Sequence, residues 1–404
     1  MPDQSVQLTL GGGVSKRFKD YFDLYPIEVS TDLVDWTALT TLQRTNSNTN
    51  AFTWTDTQSG TASMRFYRTV TDHLITPVLK PTGPFAVGMI SRLLTDSTRR
   101  NRYGISTNGS FMVSIWYPAV AEAGRLPGSF EDAPMARDSA WASSWGNAAY
   151  VDRLPYVKSP ALPDAQGASA QAPYPVLVYS PGRGDARSDL VGRGPDLASH
   201  GYMVISIDHA DAAGTVFPDG TYLKGDWSTA TLAGTQDRIR DVQFVLDQLP
   251  RWNEEDPLLA GRFDVEHIAT MGFSWGAESA VEAARIDERC KAAILIDEIW
   301  SFVPELLSVG LQKPLLAITA EFSDGGLYSK NTRDAVFFKI NSISHVQLVD
   351  YHWLSTPGDI ADGRETARTI SDYTLWFLNK YLKGIKDPIP PPEHYRLITN
   401  FRQK

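Results

Sequence analysis

A serine stands at the centre of Gly272-Phe273-Ser274-Trp275-Gly276. A serine hydroxyl attacks a carbonyl poorly unless a base can take its proton and substrate can approach it. The flanking residues provide for the approach. His267 to Met271 is a short apolar run that reads as a buried strand. Ala277, Ala280, Val281 and Ala284 recur at three- and four-residue spacing, which reads as a helix with one small-residue face. Strand, sharp turn and helix with serine at the turn is the nucleophile-elbow pattern. Glycines on both sides remove the Cβ atoms that would collide with neighbouring chain in so tight a turn. The helix that follows points its amide end at the place where negative charge develops during acyl transfer. The pentapeptide alone is weak evidence. With glycine at about 7% of ordinary chains, three fixed positions arise by chance about 0.1 times in a chain this long. The strand before it and the helix after it carry the reading.

A nucleophile of this kind is followed along the chain by an acid and then a histidine. Only His345, His352 and His394 follow Ser274. His345 lies in NSISHVQLVDY, in a short loop after the strand AVFFKI, where such a base belongs. His352 lacks that strand-to-loop placement and reads as structural, and His394 lies in a proline-rich tail. The acid has two candidates. Asp297 ends the apolar run KAAILI, and Asp324 follows PLLAITAEF one strand later. Both are carboxylates at strand ends, so spacing does not separate them. Asp350 lies beyond His345 and breaks the order, and Glu298 is a weaker substitute for Asp297.

These side chains need a frame. PVLVYS (175–180), YMVISI (202–207), the elbow strand, KAAILI (291–296), PLLAIT (314–319) and AVFFKI (335–340) are short apolar runs, with AVFFKI read as the last strand. Helical patterns alternate with them: Arg187 to His200, Asp237 to Leu249 closed by Pro250, and Thr366 to Leu382. The alternation predicts a mainly parallel sheet with helices on both faces, and with the elbow it predicts an α/β-hydrolase fold. FMVSIWY (111–117) reads as an earlier strand stopped by Pro118. The tail beyond Leu382, with Pro388, Pro390, Pro391 and Pro392, reads as irregular.

The chain has 404 residues, long enough for two domains. Residues 1–70 read as a small all-β module, with strands at Val6–Leu10, Tyr25–Val29, Trp36–Leu42, Ala51–Trp54 and Met64–Val70. It resembles sandwich-like modules of bacterial extracellular proteins, with Trp36, Trp54 and Phe66 expected in its core rather than exposed for binding a surface. Residues 71–84, holding His73, Pro77, Pro81, Gly83 and Pro84, read as a linker, and the catalytic domain spans 85–404. Within it, 120–172 is an Ala-, Pro- and Ser-rich excursion with Trp141, Trp145, Tyr150 and Tyr156, whose aromatics suit either a pocket wall or simple packing. Hydrophobic residues are 42% of the chain and charged ones 21%, the composition of a globular protein. The net charge of −9 argues against a nucleic-acid partner, and Arg99, Arg100 and Arg102 read as a solvated local cluster. No apolar run reaches the length of a membrane span. The N-terminus shows no signal peptide, and a secreted or periplasmic location with the signal already removed is expected. Cys290, the sole cysteine, reads as a packing residue.

From Gly83 to about Gly384 the chain resembles the plasma and intracellular type II platelet-activating-factor acetylhydrolases. The resemblance is carried in order by GPFAVG (83–88), IWYPA (115–119), PVLVYSPGRG (175–184), DLASHGYMVISIDH (196–209), HIATMGFSWG (267–276), AAILIDEIW (292–300) and SHVQLVDY (344–351). It implies an α/β-hydrolase that cleaves short or oxidised acyl chains from phospholipids without calcium. In that family the acid lies in an "LDAW"-like block, and Asp297 in LIDEIW occupies that position, which makes Asp297 the acid and Asp324 the fallback. The oxyanion would be held by the backbone amide of Trp275, the residue after the nucleophile, and by that of Arg183 in Pro181-Gly182-Arg183-Gly184, where the family has a His-Gly-x-Gly-like turn. Two departures stand out. Pro181 replaces that histidine, and Phe273 replaces the histidine usual inside the elbow. Backbone donors survive both changes, whereas pocket shape does not have to.

The expected chemistry is hydrolysis of a carboxylic ester through an acyl-enzyme, with Ser274, His345 and Asp297 and no metal or cofactor. A histidine base near its ordinary value of about 6.5 implies activity that falls in acid. Candidate substrates are a small-molecule, lipid or polymeric ester. Trp300, Trp353, Trp141 and Trp145 are candidate pocket residues. A cutinase-like polyester hydrolase, with the N-terminal module held on insoluble substrate, is the second reading. A binding protein on a decayed hydrolase scaffold is the third.

Overall fold

The computed structural model describes residues 6–11, 24–43, 51–57, 64–69, 81–102, 105–121, 159–209, 215–223, 230–297, 299–350 and 360–404. The runs that looked buried on both faces form the middle of one sheet. Among the described residues it has ten strands, in the spatial order Leu162–Pro163, Ala86–Thr95, Ser110–Ala119, Met203–Ile207, Tyr174–Ser180, Phe263–Phe273, Cys290–Ile296, Leu315–Thr319, Ala335–Ile340 and Ile398–Gln403. The six from Met203–Ile207 to Ala335–Ile340 are parallel. Antiparallel pairs close both sides. Because side chains alternate across a strand, each strand feeds two cores. Leu177, Tyr179, Met271, Ile294, Ile296 and Ile318 pack with Leu197 and with Ile370, Tyr373 and Phe377 of the helix Ile360–Leu382. Val176, Val178, Ile268, Ala293 and Leu295 pack on the other face with Val242, Val245 and Leu249 of the helix Leu232–Glu255 and with Ala277, Val281 and Ala284 of the elbow helix Trp275–Ile286. This is an α/β-hydrolase fold with small antiparallel sheets added at its N-terminus.

Three expectations fail at prolines or at an edge. The helix Leu232–Glu255 runs through Pro250 and does not end there. Its continuation is held by Trp252, which is buried and packs against Phe263 at 6.0 Å. The strand Ser110–Ala119 likewise runs past Pro118, which pairs with Val87 on one side. Pairing to Met203–Ile207 on the other side stops at Trp116, so proline's missing N–H interrupts no ladder there. The tail is not irregular throughout. Ile398–Gln403 adds an antiparallel strand outside Ala335–Ile340, which is therefore not the last. That edge strand is half-exposed and gives little apolar signal.

At the N-terminus, Val6–Gly11 pairs with Ala51–Asp56, and Leu24–Ser30 pairs with Thr37–Gln43 and Phe66–Thr69. Tyr67 donates to Asp56 at 2.8 Å and so ties the two sheets. Ile27 and Val29 are buried there, whereas Trp36, Trp54 and Phe66 are only half-buried and do not form the core expected of them. The Trp36 ring instead lies 4.2 Å under the Arg68 guanidinium. Most of the expected linker and most of the excursion at 120–172 lie outside the described residues.

Candidate active site

Register builds this site. Phe273 and Ile296 are partners at the carboxyl ends of adjacent parallel strands, and Ser274 and Asp297 are the next residues of each. The Ser274 N–H donates to the Ile296 carbonyl at 3.0 Å and the Asp297 N–H to the Ile318 carbonyl at 2.6 Å. Both leave their strands with positive φ, 54° at Ser274 and 72° at Asp297. That conformation is costly for a side-chain-bearing residue and is held here by the strand ends. The two glycines of the elbow are required by contact. A Cβ at Gly272 would overlap the Gly276 carbonyl, and a Cβ at Gly276 would overlap the carbonyls of Ser180 and Pro181. The elbow thus packs directly against the loop that follows Tyr174–Ser180.

His345 opens a short 3-10 turn, His345–Leu348, a few residues after Ala335–Ile340. Its Nδ1 is hydrogen-bonded to Asp297 Oδ2. The other Asp297 oxygen accepts the backbone N–H groups of Ala320 at 2.6 Å and Phe322 at 3.3 Å. Asp297 is fully buried, so its orientation is fixed from both sides. With Nδ1 donating to the carboxylate, Nε2 of His345 is the acceptor nitrogen. The imidazole stacks on Phe273, the residue before Ser274, with ring centroids 4.6 Å apart, and Phe322 meets it edge-on at 5.0 Å. The His345 N–H donates to Glu321 Oε2 at 2.8 Å. Ser274 is 3% exposed and the His345 side chain 17% exposed.

Asp324 goes elsewhere. Its carboxylate accepts the N–H groups of Gly326 at 3.1 Å and Tyr328 at 2.7 Å, at the start of the short helix Leu327–Lys330. Asp350 accepts the N–H groups of Gly192 and Arg193, both at 2.8 Å, and pairs with the Arg193 side chain. Trp275 is fully buried, its indole N–H donating to Thr235 Oγ1 at 2.7 Å. Trp300 is half-buried beside it at 6.2 Å, and the guanidinium of the exposed Arg183 lies 5.0 Å from the Trp300 ring. Trp141, Trp145, Trp353, His352 and Glu298 lie outside the described residues. Cys290 is buried, and burial pushes its thiol up to about 12, which suits packing and not nucleophilic attack. Among the described residues no cluster of three or more His, Cys, Asp or Glu suited to a metal ion is found, and no helix is long and apolar enough to cross a membrane.

Several polar residues here escaped sequence reasoning. Arg99 is not solvated but pairs with Asp96 at 2.6 Å and Asp241 at 2.9 Å. Arg238 and Asp241 are fully buried on the same helical stripe as Val242, Val245 and Leu249. Charged residues falling on an apolar stripe were the available signal. Glu278, four residues after Ser274, is buried too and accepts the N–H groups of Trp300 at 3.1 Å and Val303 at 2.8 Å.

Comparison with known proteins bears on the fold and on the class of reaction. Residues 76–226 match the family model for "Platelet-activating factor acetylhydrolase, isoform II". A platelet-activating factor acetylhydrolase of Cavia porcellus is 24% identical over 354 residues, which are 76% of this chain and 78% of that one. A cutinase of Thermobifida alba is 24% identical over 180 residues, 43% of this chain and 53% of that one. The structure of a ferulic acid esterase from Streptomyces cinnamoneus superposes with a TM-score of 0.67 at 26% identity, covering 80% of this chain and 98% of that one. With the fold, these likenesses mark the chain as a carboxylic ester hydrolase similar to the platelet-activating-factor acetylhydrolases.

Proposed function

We propose that this enzyme hydrolyses short-acyl or phospholipid-type esters by two-step acyl transfer, with Ser274 as nucleophile, His345 as base and Asp297 as acid. The observation that carries the reading is the buried Asp297 carboxylate hydrogen-bonded to His345, whose ring stacks on the residue before Ser274. His345 Nε2 takes the Ser274 proton as the hydroxyl attacks the ester carbonyl. Asp297 fixes the tautomer and stabilises the imidazolium that forms. The amides of Trp275 and Arg183 bind the developing oxyanion. The alcohol leaves with the proton from His345, and water, activated by the same imidazole, releases the acid. The alternation of a module over 1–70, a linker over 71–84 and a catalytic domain over 85–404 belongs to the same proposal.

Ser274→Ala tests it. Turnover of p-nitrophenyl butyrate and labelling by a fluorophosphonate should both vanish while the melting temperature holds. Retained turnover would put the chemistry elsewhere, and an unlabelled native protein would favour a binding role. A polyester reading has its own support in the cutinase likeness and in the half-buried pair Trp300 and Phe302, whose rings lie 5.8 Å apart. A panel of phospholipid, short-acyl and polymeric esters separates the two.

A further inference from the structure

The first turns of the helix Leu232–Glu255 hold side chains that the ester chemistry above does not use. Arg238, fully buried, reaches from this helix into the loop after Tyr174–Ser180. Its Nη1 donates to the Pro181 carbonyl at 2.6 Å and its Nη2 to the Gly182 carbonyl at 3.0 Å. One turn on, Asp241 Oδ2 accepts from His209 Nδ1 at 2.8 Å, and His209 Nε2 lies 2.9 Å from Ser180 Oγ. This second serine–histidine–aspartate chain is no second nucleophile. Ser180, His209 and Asp241 are each at most 1% exposed, so no ester can reach them. Ser180 is the residue before Pro181, so both sets of contacts converge on one loop. The other Asp241 oxygen is held by Arg99 at 2.9 Å.

The direction of these bonds matters more than their number. In a trans peptide the carbonyl and the next N–H point opposite ways. A guanidinium that fixes the Gly182 carbonyl on the helix side therefore turns the Arg183 N–H away from the helix. The same guanidinium lies 4.2 Å from the centroid of the Trp275 ring. One buried cation thus holds the peptide group that carries the Arg183 N–H and also lies over the ring of Trp275.

We propose that Arg238 is a positioning residue for the oxyanion hole, with Asp241 acting beside it through His209 and Ser180. The proposal rests on the assignment of Arg183 and Trp275 as oxyanion donors. An arginine suits the task because its planar fork presents two N–H groups to two adjacent carbonyls in a fixed geometry, whereas a lysine offers a point charge on a flexible stem. The loop is then set before substrate arrives, so the amides need not reorganise as charge develops.

The test uses the full chain. Arg238→Lys, Ser180→Ala and Ser274→Ala are assayed for kcat and KM on p-nitrophenyl butyrate, for binding of an alkyl boronic acid that forms a tetrahedral adduct, and for thermal unfolding. Losing an oxyanion donor outright costs about 10²–10³ in kcat. A folded Arg238→Lys is expected to lose about 10- to 100-fold in kcat, with KM within about twofold and boronate affinity falling in step with kcat/KM. A folded variant with kcat within about threefold of wild type, or with undiminished boronate affinity, overturns the proposal. If Arg238→Lys does not fold, Ser180→Ala decides. A loss of about threefold or more in kcat with the same boronate pattern supports the mount, and unchanged kinetics overturn it. An active Ser274→Ala would instead sink the parent reading.

Discussion

The ring of Phe273 lies against the imidazole of His345, 4.6 Å between centroids and 28° between planes. The residue that precedes Ser274 is therefore also a wall of the His345 ring. Phe322 closes the other approach, and Asp297 takes Nδ1, so the imidazole has little freedom left. Orientation of a base contributes through proximity and not through binding. Phe273→Ala is accordingly expected to lower kcat by about tenfold with KM nearly unchanged, whereas Phe273→His keeps a flat ring and stays within about threefold. Steady-state kinetics on p-nitrophenyl butyrate decide it. An alanine variant at wild-type kcat would show that the stack does not orient the base.

The two candidate acids differ in what they hold. Asp297→Asn leaves the shape intact but disturbs the hydrogen bond that sets the His345 tautomer, and a drop of about 10⁴ in kcat is expected. Asp324 holds the N–H groups of Gly326 and Tyr328. Asp324→Asn is expected to keep kcat within about twofold, and Asp324→Ala to cost about 0.5–2 kcal/mol of stability, as lost caps do. Paired kinetics and denaturant unfolding separate the roles. A dead Asp324→Asn beside an active Asp297→Asn would reverse the assignment.

Sequence reading did well where a strand is covered on both faces. Val176 to Tyr179 and Ala292 to Ile296 are continuous apolar runs because both cores use them, and the elbow shows itself because Gly272 and Gly276 admit no Cβ. It did poorly where tertiary contact overrides a local rule. Pro250 stands inside a helix that Trp252 anchors beyond it. Pro118 stands in a strand that has lost one neighbour. Spacing could not choose between Asp297 and Asp324, since both end strands. What separates them is that Asp297 is one residue past the partner of Phe273, a fact of register. Arg238 and Asp241 escaped because a charged residue on a helix is usually solvated, and only the third dimension shows the loop they hold.

At the opposite end of the elbow-side strands, Lys383 offers a pH test of the fold itself. Its Nζ donates to the His200 carbonyl at 2.7 Å and lies 4.0 Å from the Tyr202 ring centroid. Burial lowers its pKa to about 8. The unfolded chain, with lysine near 10.4, then binds more protons than the folded one between about pH 8 and 10.4. Stability contributed by this group must rise with pH across that interval. The denaturation midpoint of the wild type, measured relative to Lys383→Met, should move upward from pH 7.5 to pH 10. A constant difference between the two proteins would show that the ammonium is not desolvated.

Glu278 links the elbow helix to the segment that carries Trp300. Its two oxygens take the N–H groups of Trp300 and Val303, and burial raises its pKa above the ordinary carboxyl range. A carboxyl that binds its proton more tightly when folded makes the fold less stable as pH rises from about 4.3 toward the raised value. Glu278→Gln should flatten that decline. It also turns an NH₂ group toward a backbone N–H, so the segment with Trp300 loses an acceptor. If Trp300 lines the acyl side of the pocket, Glu278→Gln and Trp300→Ala should both raise KM for p-nitrophenyl benzoate by about fivefold while leaving the acetate nearly unchanged. Equal effects on benzoate and acetate would mean that Trp300 does not touch the acyl group and that Glu278 serves stability alone.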